Sequence, residues 1–402
     1  MRFNDLNITK SNREVWKLNK DGIKQPMNFA DVMGREDKFK TLKTRLKDDL
    51  SNSIFKHIDD AENEEQIGAR LDPVFEQLSK SFFVSNEPDP ELLLSKANKN
   101  TLTKKLQSWC EQLNTNVKVV KKTPGVKIFF NKLKNVPCVI VCAGPNLGNS
   151  LPLLSTLKNK AVIMSVDTSF RSCIKRNIIP DFCNAHDANE NGQKFFNNAY
   201  AKDTVSIFVN YIHPKTIASY NGPKTFYYVD DPSIQSYFTM ALACDDSSRP
   251  DGSFLESAIT GGSCVAHTAL YAALRMGCNP ITFVGLDLSY PDLTKTHFES
   301  DNMKKVTGQR LIDVVGINGK NVKTNLSFYS YKVVFDKMAP MLSMIHNVDL
   351  YTSTQNNDGS PAGIVHSGLT PMPFQEWVDK FANVERDEIK QILSIYKKYC
   401  PI

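Results

Sequence analysis

From about Val117 to Ser300 the chain alternates short apolar runs with amphipathic stretches, and this alternation limits the fold more than any other feature. The runs are PCVIVCA (137–143), AVIMSVD (161–167), the start of IIPDFCNAHD (178–187), VSIFVN (205–210), KTFYYVD (224–230) and PITFVGLDLSY (280–290). Each has strand length and lacks the in-and-out alternation of a half-exposed strand, so each reads as buried on both faces. The stretch SCVAHTALYAALRMG (263–277) before the last run has helical spacing and ends on a glycine. Strands buried on both faces with helices between them predict an α/β domain over 117–300. Its expected core is a Rossmann-like, mostly parallel sheet with helices on both faces.

The flanks read differently. Residues 1–116 are polar, with apolar residues at three- and four-residue intervals in DVMGREDKFKTLKTRLKDDLSNSIFKHI (31–58) and IGARLDPVFEQLSKSFF (67–83), which predicts a mostly helical accessory domain. The tail, 301–402, is expected to be mostly helical. It holds SFYSYKVVFDKMAPMLSMI (327–345), a short strand in VDLYTST (348–354), a loop at 351–374 and two amphipathic helices ending near Tyr399. A length of 402 residues accommodates these two or three units.

Composition excludes several classes. No stretch approaches the ~18–20 apolar residues of a membrane span, and the first twenty residues show no apolar core of a secretory signal. The nine cysteines are scattered without CxxC pairs or zinc spacing, so reduced thiols and a cytoplasmic setting are expected. Residues 95–134 carry ten lysines against one glutamate, a patch able to meet an anion. No stacking aromatics or nucleic-acid motif accompany it, so it reads as a solvated face and no nucleic-acid partner is expected.

Every polar group of interest falls where an expected strand ends, and ligands of open α/β sheets bind at that edge. The first is Gly144-Pro145-Asn146-Leu147-Gly148. It allows close backbone approach and starts a helix at Pro145, whose free amides would face an anion. It is neither a Walker loop nor GxGxxG, and an ordinary tight turn has the same composition. The second is Asp167, a carboxylate placed either to accept from ribose or base donors or to cap the next helix. The third groups Asp181, His186 and Asp187. Asp187 can hold a divalent cation against a diphosphate, with Asp181 as a further metal ligand if Mg²⁺ is used, and His186 can act as a base. An Asx turn beside a surface histidine is the plain alternative. The fourth, Thr260-Gly261-Gly262-Ser263, opens a helix and makes a second anion- or nucleotide-contacting turn, with His267 one turn in as a core residue. Asp287 ends the last strand, and Tyr290, His297 and Phe298 follow in its loop.

The segments CAGPNL, IPDFCNAHD and ITGGSCVAHTALYAALRMGCNPITFVGLDLSY resemble the central domain of the motility accessory factor (Maf) flagellin glycosyltransferases. That domain also takes its name from the archaeal 6-hydroxymethylpterin diphosphokinase, MptE-like. Its layout is similar to that of bacterial CMP-sialic-acid sialyltransferases. The resemblance covers about 135–300 and continues into LYTSTQNNDGSPAGIVHSGLTPMPFQEW, which favours the Maf branch. It departs at Asn146, where the family has Ser, at Gly261, where the sialyltransferases have Ser, and at 355–359, where an acidic group is shifted to Asp358.

The resemblance implies a transferase that moves a sialic-, pseudaminic- or legionaminic-type nonulosonic acid from a CMP-sugar to Ser/Thr of a protein such as flagellin. The donor would be held by Gly144, Pro145, Asn146, Leu147, Asp167, Thr260, Gly261, Gly262, Ser263 and Asp287, with His186, His297 or Asp187 as the base. Two rival expectations remain. One is an ATP- and Mg²⁺-dependent pterin diphosphokinase whose metal is held by Asp181, Asp187 and Asp287. The other is a non-catalytic binding module.

Overall fold

The computed structural model describes residues 16–18, 24–26, 90–231, 235–291, 293, 296–299 and 311–400. The two helical segments expected at 31–58 and 67–83 lie outside the described residues. Residues 16–18 and 24–26 pair as a small antiparallel ribbon.

The sheet strands, in chain order, are β1 (Cys138–Val141), β2 (Val162–Val166), β3 (Phe182–Ala185), β4 (Val205–Val209), β5 (Lys224–Val229), β6 (Ala258–Ile259) and β7 (Ile281–Val284). After them come the antiparallel hairpin β8 (Leu311–Val315) and β9 (Asn321–Asn325), then β10 (Leu350–Thr352) and β11 (Thr370–Pro371). The main helices are α1 (Pro90–Lys122), α2 (Asp167–Ile174), α3 (Pro214–Ser219), α4 (Gln235–Cys244), α5 (Val265–Met276), α6 (Leu326–His346), α7 (Phe374–Phe381), α8 (Asp387–Lys390) and α9 (Ile392–Tyr399).

Nine strands form one parallel sheet in the order β11-β10-β7-β1-β2-β3-β4-β5-β6. Every residue of β1, β2, β3, β4 and β7 is buried, as expected for strands covered on both faces. Successive residues of β1 enter opposite cores. Cys138 and Ile140 join the core beneath α1, α4, α5 and α6. Val139 and Val141 join a second core with Leu147, Leu151, Leu154, Phe374 and Trp377.

Two features differ from the expected organisation. Helix α1 runs through 116/117 and stops only where Thr123-Pro124 forces an extended backbone. Strands β10 and β11 from the tail pair onto β7, so the sheet continues past residue 300. The continuation follows from the chain path. From β1 the chain winds outward through β2, β3, β4, β5 and β6, and α5 then carries it back to β7 on the other side of β1. β1 and β7 therefore flank the topological switch point, where neighbouring connections diverge and leave a crevice at the carboxyl ends. Helix α5 crosses beneath β1, β2 and β3 on its stripe of Ala266, Ala269, Leu270, Ala273 and Leu274, and is closed by Gly277 at φ 89°.

Candidate active site

The switch-point crevice is built by β1 and β7. Pro145 opens a 3₁₀ turn, Pro145–Asn149, directly after β1. Gly144 N–H donates to Gly285 O at 2.8 Å, and Leu147 N–H donates back to Gly144 O. The Asn146 backbone N–H donates to Asp287 Oδ2 at 3.2 Å, and its side-chain Nδ2 donates to Asp287 Oδ1 at 2.6 Å. The expected free amides at Gly144–Leu147 are thus already engaged, those of Gly144 and Leu147 by carbonyls and that of Asn146 by the protein's own carboxylate. Leu147 itself points into the core. A side chain at Gly144 would bring a Cβ within 2.1 Å of Asp287 Oδ2, which accounts for glycine there. Burial pushes the Asp287 carboxyl up to about 6, against the two bonds from Asn146 that lower it.

Asp167 starts α2, and its Oδ1 accepts from Thr168 N–H and Thr168 Oγ1, local bonds that leave the carboxylate at the edge. Burial, reinforced by the charge of Asp187, raises it to about 6. Asp187 is exposed and forms an Asx turn, accepting from the Asn189 amide at 2.9 Å and from Asn189 Nδ2 at 2.6 Å. Asp181 does not join them. It precedes β3 and so lies at the amino edge of the sheet, where its Oδ2 accepts from Ile163 N–H at 2.8 Å. The four residues of β3 and then His186 separate it from Asp187, roughly 20 Å of extended chain, so the two cannot share one cation.

His186 is not a surface histidine. Its Nδ1 meets Tyr227 Oη at 2.7 Å and its Nε2 meets Tyr211 Oη at 3.3 Å. Desolvation lowers its imidazole to about 4, so it is neutral at pH 7 with both nitrogens engaged. Beyond Tyr211, a stack with Trp109 and Tyr237 ties the network to α1 and α4. Tyr211 and Tyr227 escaped the sequence reading because a tyrosine in or just after an apolar run looks like core.

The Thr260–Ser263 turn lies half-buried between β6 and α5. Gly262 is pressed against His267, whose ring atoms would stand 2.7–2.8 Å from an added Cβ. The Cys264 N–H donates to His267 Nδ1 at 3.3 Å. His267 is fully buried, as expected of a core residue, and lowered to about 3 by desolvation; its ring packs 4.2 Å from that of Phe335. Ser263 Oγ is buried without a hydrogen-bond partner. On α6, half-buried Tyr331 senses the charges of Cys264, Asp187 and Tyr290, and burial chiefly lifts its phenol to about 12. Its nearness to these groups is a placement no helical periodicity signals.

His297 comes to the same edge. The next residue, Phe298, donates its N–H to Ala143 O at 2.9 Å, and its ring covers Gly148. His297 Nδ1 meets Thr296 Oγ1 at 3.2 Å, and desolvation together with the Lys194 charge lowers its imidazole. The loop after β10 braces the crevice from behind. Thr354 Oγ1 accepts from Leu286 N–H at 2.9 Å, Asp287 O accepts from Ile364 N–H, and Asn149 Nδ2 donates to Gln355 O. Asp358, the shifted acidic group of this loop, is exposed and forms its own Asx turn with Ser360.

Residues 111–293 match the family model described as 6-hydroxymethylpterin diphosphokinase MptE-like. The matched stretch is thus similar to an MptE-like domain and spans 183 of the 402 residues. The chain is similar in fold to a solved structure described as MAf glycosyltransferase from Magnetospirillum magneticum AMB-1, at TM-score 0.53 and 13% identity over 98% of this chain and 76% of that one. No curated protein matches the chain by sequence. The MptE-like match begins inside α1 and ends just past β7, so it contains both walls of the switch-point crevice. No helix among the described residues is long and apolar enough to cross a membrane, and all nine cysteines are free thiols.

Proposed function

We propose that the protein is a glycosyltransferase that moves a nonulosonic acid from its CMP conjugate to a Ser or Thr hydroxyl of a protein, flagellin-like in character. What supports this reading is the Asn146–Asp287 pair at the switch point, with the Thr260–Ser263 turn and His297 following strand ends on the same carboxyl edge of the sheet, in a fold shared with a Maf glycosyltransferase. In the reaction the acceptor oxygen attacks the anomeric carbon, the bond from that carbon to the phosphate oxygen breaks, and CMP leaves with the electron pair. The acceptor proton passes to a base.

Asp287 decides where the donor's parts sit. A carboxylate already held in the Gly144–Asn146 turn repels a phosphate there and accepts from hydroxyl or amino donors, such as those of ribose or base. The phosphate belongs instead at the Thr260–Ser263 turn, where the N-terminus of twelve-residue α5 and Ser263 Oγ can meet developing negative charge. His297 is the best-placed base. It is half-buried, its imidazole is held below the usual range, and its Nδ1 contact with Thr296 leaves Nε2 for the proton. His186, held between two phenols, orients the edge. Asp187 and Asp167 line the acceptor side. A cytoplasmic setting accords with the free thiols.

One observation favours a second reading. Asp167 and Asp187 end adjacent strands and sense each other's charge, and the matching family model carries the diphosphokinase description. Two carboxylates can hold Mg²⁺ when substrate phosphates complete its shell, and the metal would neutralise charge during transfer from ATP. Thermal shifts with CMP, CDP, ATP and GTP, each with and without Mg²⁺, separate the readings. A ligand binding only the native state at 100 times its Kd stabilises it by about 2.7 kcal/mol. Selective stabilisation by CMP or CDP is expected. A response to ATP that requires Mg²⁺, with none to cytidine nucleotides, transfers the conclusion to the diphosphokinase. Silence from all four indicates a non-catalytic module.

A further inference from the structure

Among the described residues, the loop that carries His297 is tied down beside it by a pair of residues far apart in sequence. Arg176, just beyond α2, grips Glu299 as a fork: Nη2 donates to Oε1 at 2.5 Å and Nη1 to Oε2 at 3.0 Å. Bidentate pairing of this kind fixes orientation as well as distance. Nη1 of Arg176 also donates to Ser172 O at 3.1 Å, and its guanidinium lies 5.2 Å from the centroid of the Phe298 ring. Phe298 in turn is tied to Ala143 O and covers Gly148 of the 3₁₀ turn. Glu299 has φ 50°, a left-handed backbone that costs a non-glycine residue roughly 1–2 kcal/mol and persists only where surroundings enforce it. We propose that Arg176 and Glu299 form a positioning clamp that holds His297 against the carboxyl end of β1.

Neither residue reaches the crevice; both act through His297, and their part in turnover rests on the glycosyl-transfer reading. The ring of His297 is enclosed by Thr296 on its own loop, by Phe328 of α6 at 6.2 Å, and by the charge of Lys194 from the turn after β3. Burial keeps its imidazole lowered, so the titration of His297 reports whether the loop is seated.

The test uses the full chain with ¹³C-labelled histidine, followed by NMR across the pH range, with H297Q identifying the resonance. In E299Q and in R176E the His297 titration should move up toward that of a free imidazole, while the other six histidines keep theirs. The reversed pair, R176E/E299R, should bring it back down. With a competent CMP-sugar, kcat should fall ~10–100-fold in the single variants and recover in the reversed pair, as expected for loss of orientation. The thermal shift given by CMP should persist throughout. An unmoved His297 titration in both single variants of native stability overturns the clamp, as does a reversed pair that fails to restore it. Wild-type protein that transfers no sugar would overturn the functional reading alone, because the titration decides the clamp without substrate.

Discussion

Asn146 donates twice to Asp287, from its backbone N–H to one carboxylate oxygen and from its side-chain Nδ2 to the other, and this pair ties the end of β1 to the end of β7 across the switch point. The carboxylate is almost wholly buried, so its two bonds are its main compensation for lost hydration. Asn146→Ala should therefore cost about 1–3 kcal/mol of stability at pH 8. Because Asn146 holds the Asp287 carboxyl down against burial, its loss also raises that carboxyl above the present value of about 6. The loss of stability should accordingly shrink as pH falls and Asp287 becomes protonated. Denaturant melts of both proteins at pH 5 and pH 8 check this. An equal loss at both values would remove the carboxylate from the explanation.

Gly144→Ala tests the same junction by shape. The new methyl would stand 2.1 Å from Asp287 Oδ2 and 2.5 Å from Gly285 O, contacts that neither a carboxylate nor a carbonyl tolerates. The 3₁₀ turn must shift, displacing the Asn146 amide. We expect a folded protein whose thermal response to cytidine nucleotides falls at least tenfold in apparent affinity. Wild-type affinity would show that the turn does not line the donor site.

Much of this architecture is legible in the sequence. The apolar runs located β1, β2, β3, β4, β5 and β7 because strands buried on both faces leave an uninterrupted apolar signature. The clustering of Gly144, Asp167, His186 and Asp287 at strand ends was likewise visible from run boundaries. Polar partnership was not. That Asn146 binds Asp287, 141 residues away, depends on β7 returning beside β1, and local pattern does not encode strand order. Asp181 misled for a related reason. It lies six residues before Asp187, but a strand intervenes, so proximity in sequence became opposite edges in space. Tyr331 was hidden because a helical tyrosine at core spacing carries no sign of what faces it.

The two histidines proposed at the site should behave oppositely when replaced. His186 joins Tyr227 to Tyr211, and its removal takes one hydrogen bond from each of two buried phenols and leaves a cavity between them. His186→Ala should lower stability by about 1–3 kcal/mol and leave kcat within a few-fold after the loss of folded protein is taken into account. His297→Gln should melt near wild type yet lose ~10²–10⁴-fold in kcat, the range a general base supplies. Measuring melting temperature and transfer rate for both variants decides between them. Loss of turnover confined to the His186 variant would reverse the roles.

Asp181 carries the clearest pH signature away from the crevice. Burial raises its carboxyl to about 7 in the folded chain, although the Ile163 amide and the Lys158 charge oppose the rise. A raised carboxyl means the folded state prefers the protonated form. Below the unfolded value near 4 both states are protonated and there is no penalty. As pH rises from 4 to 7 the unfolded chain ionises first and the folded state loses stability, with the loss complete above 7. Asparagine keeps an oxygen for the Ile163 amide and cannot ionise. Asp181→Asn should therefore match wild type near pH 4 and exceed it by an amount on the order of a few kcal/mol at pH 8. Chemical denaturation across that range gives the difference directly. A constant difference, or one that grows toward acid, would mean that Asp181 is ionised in the folded protein and paired by groups at the amino edge.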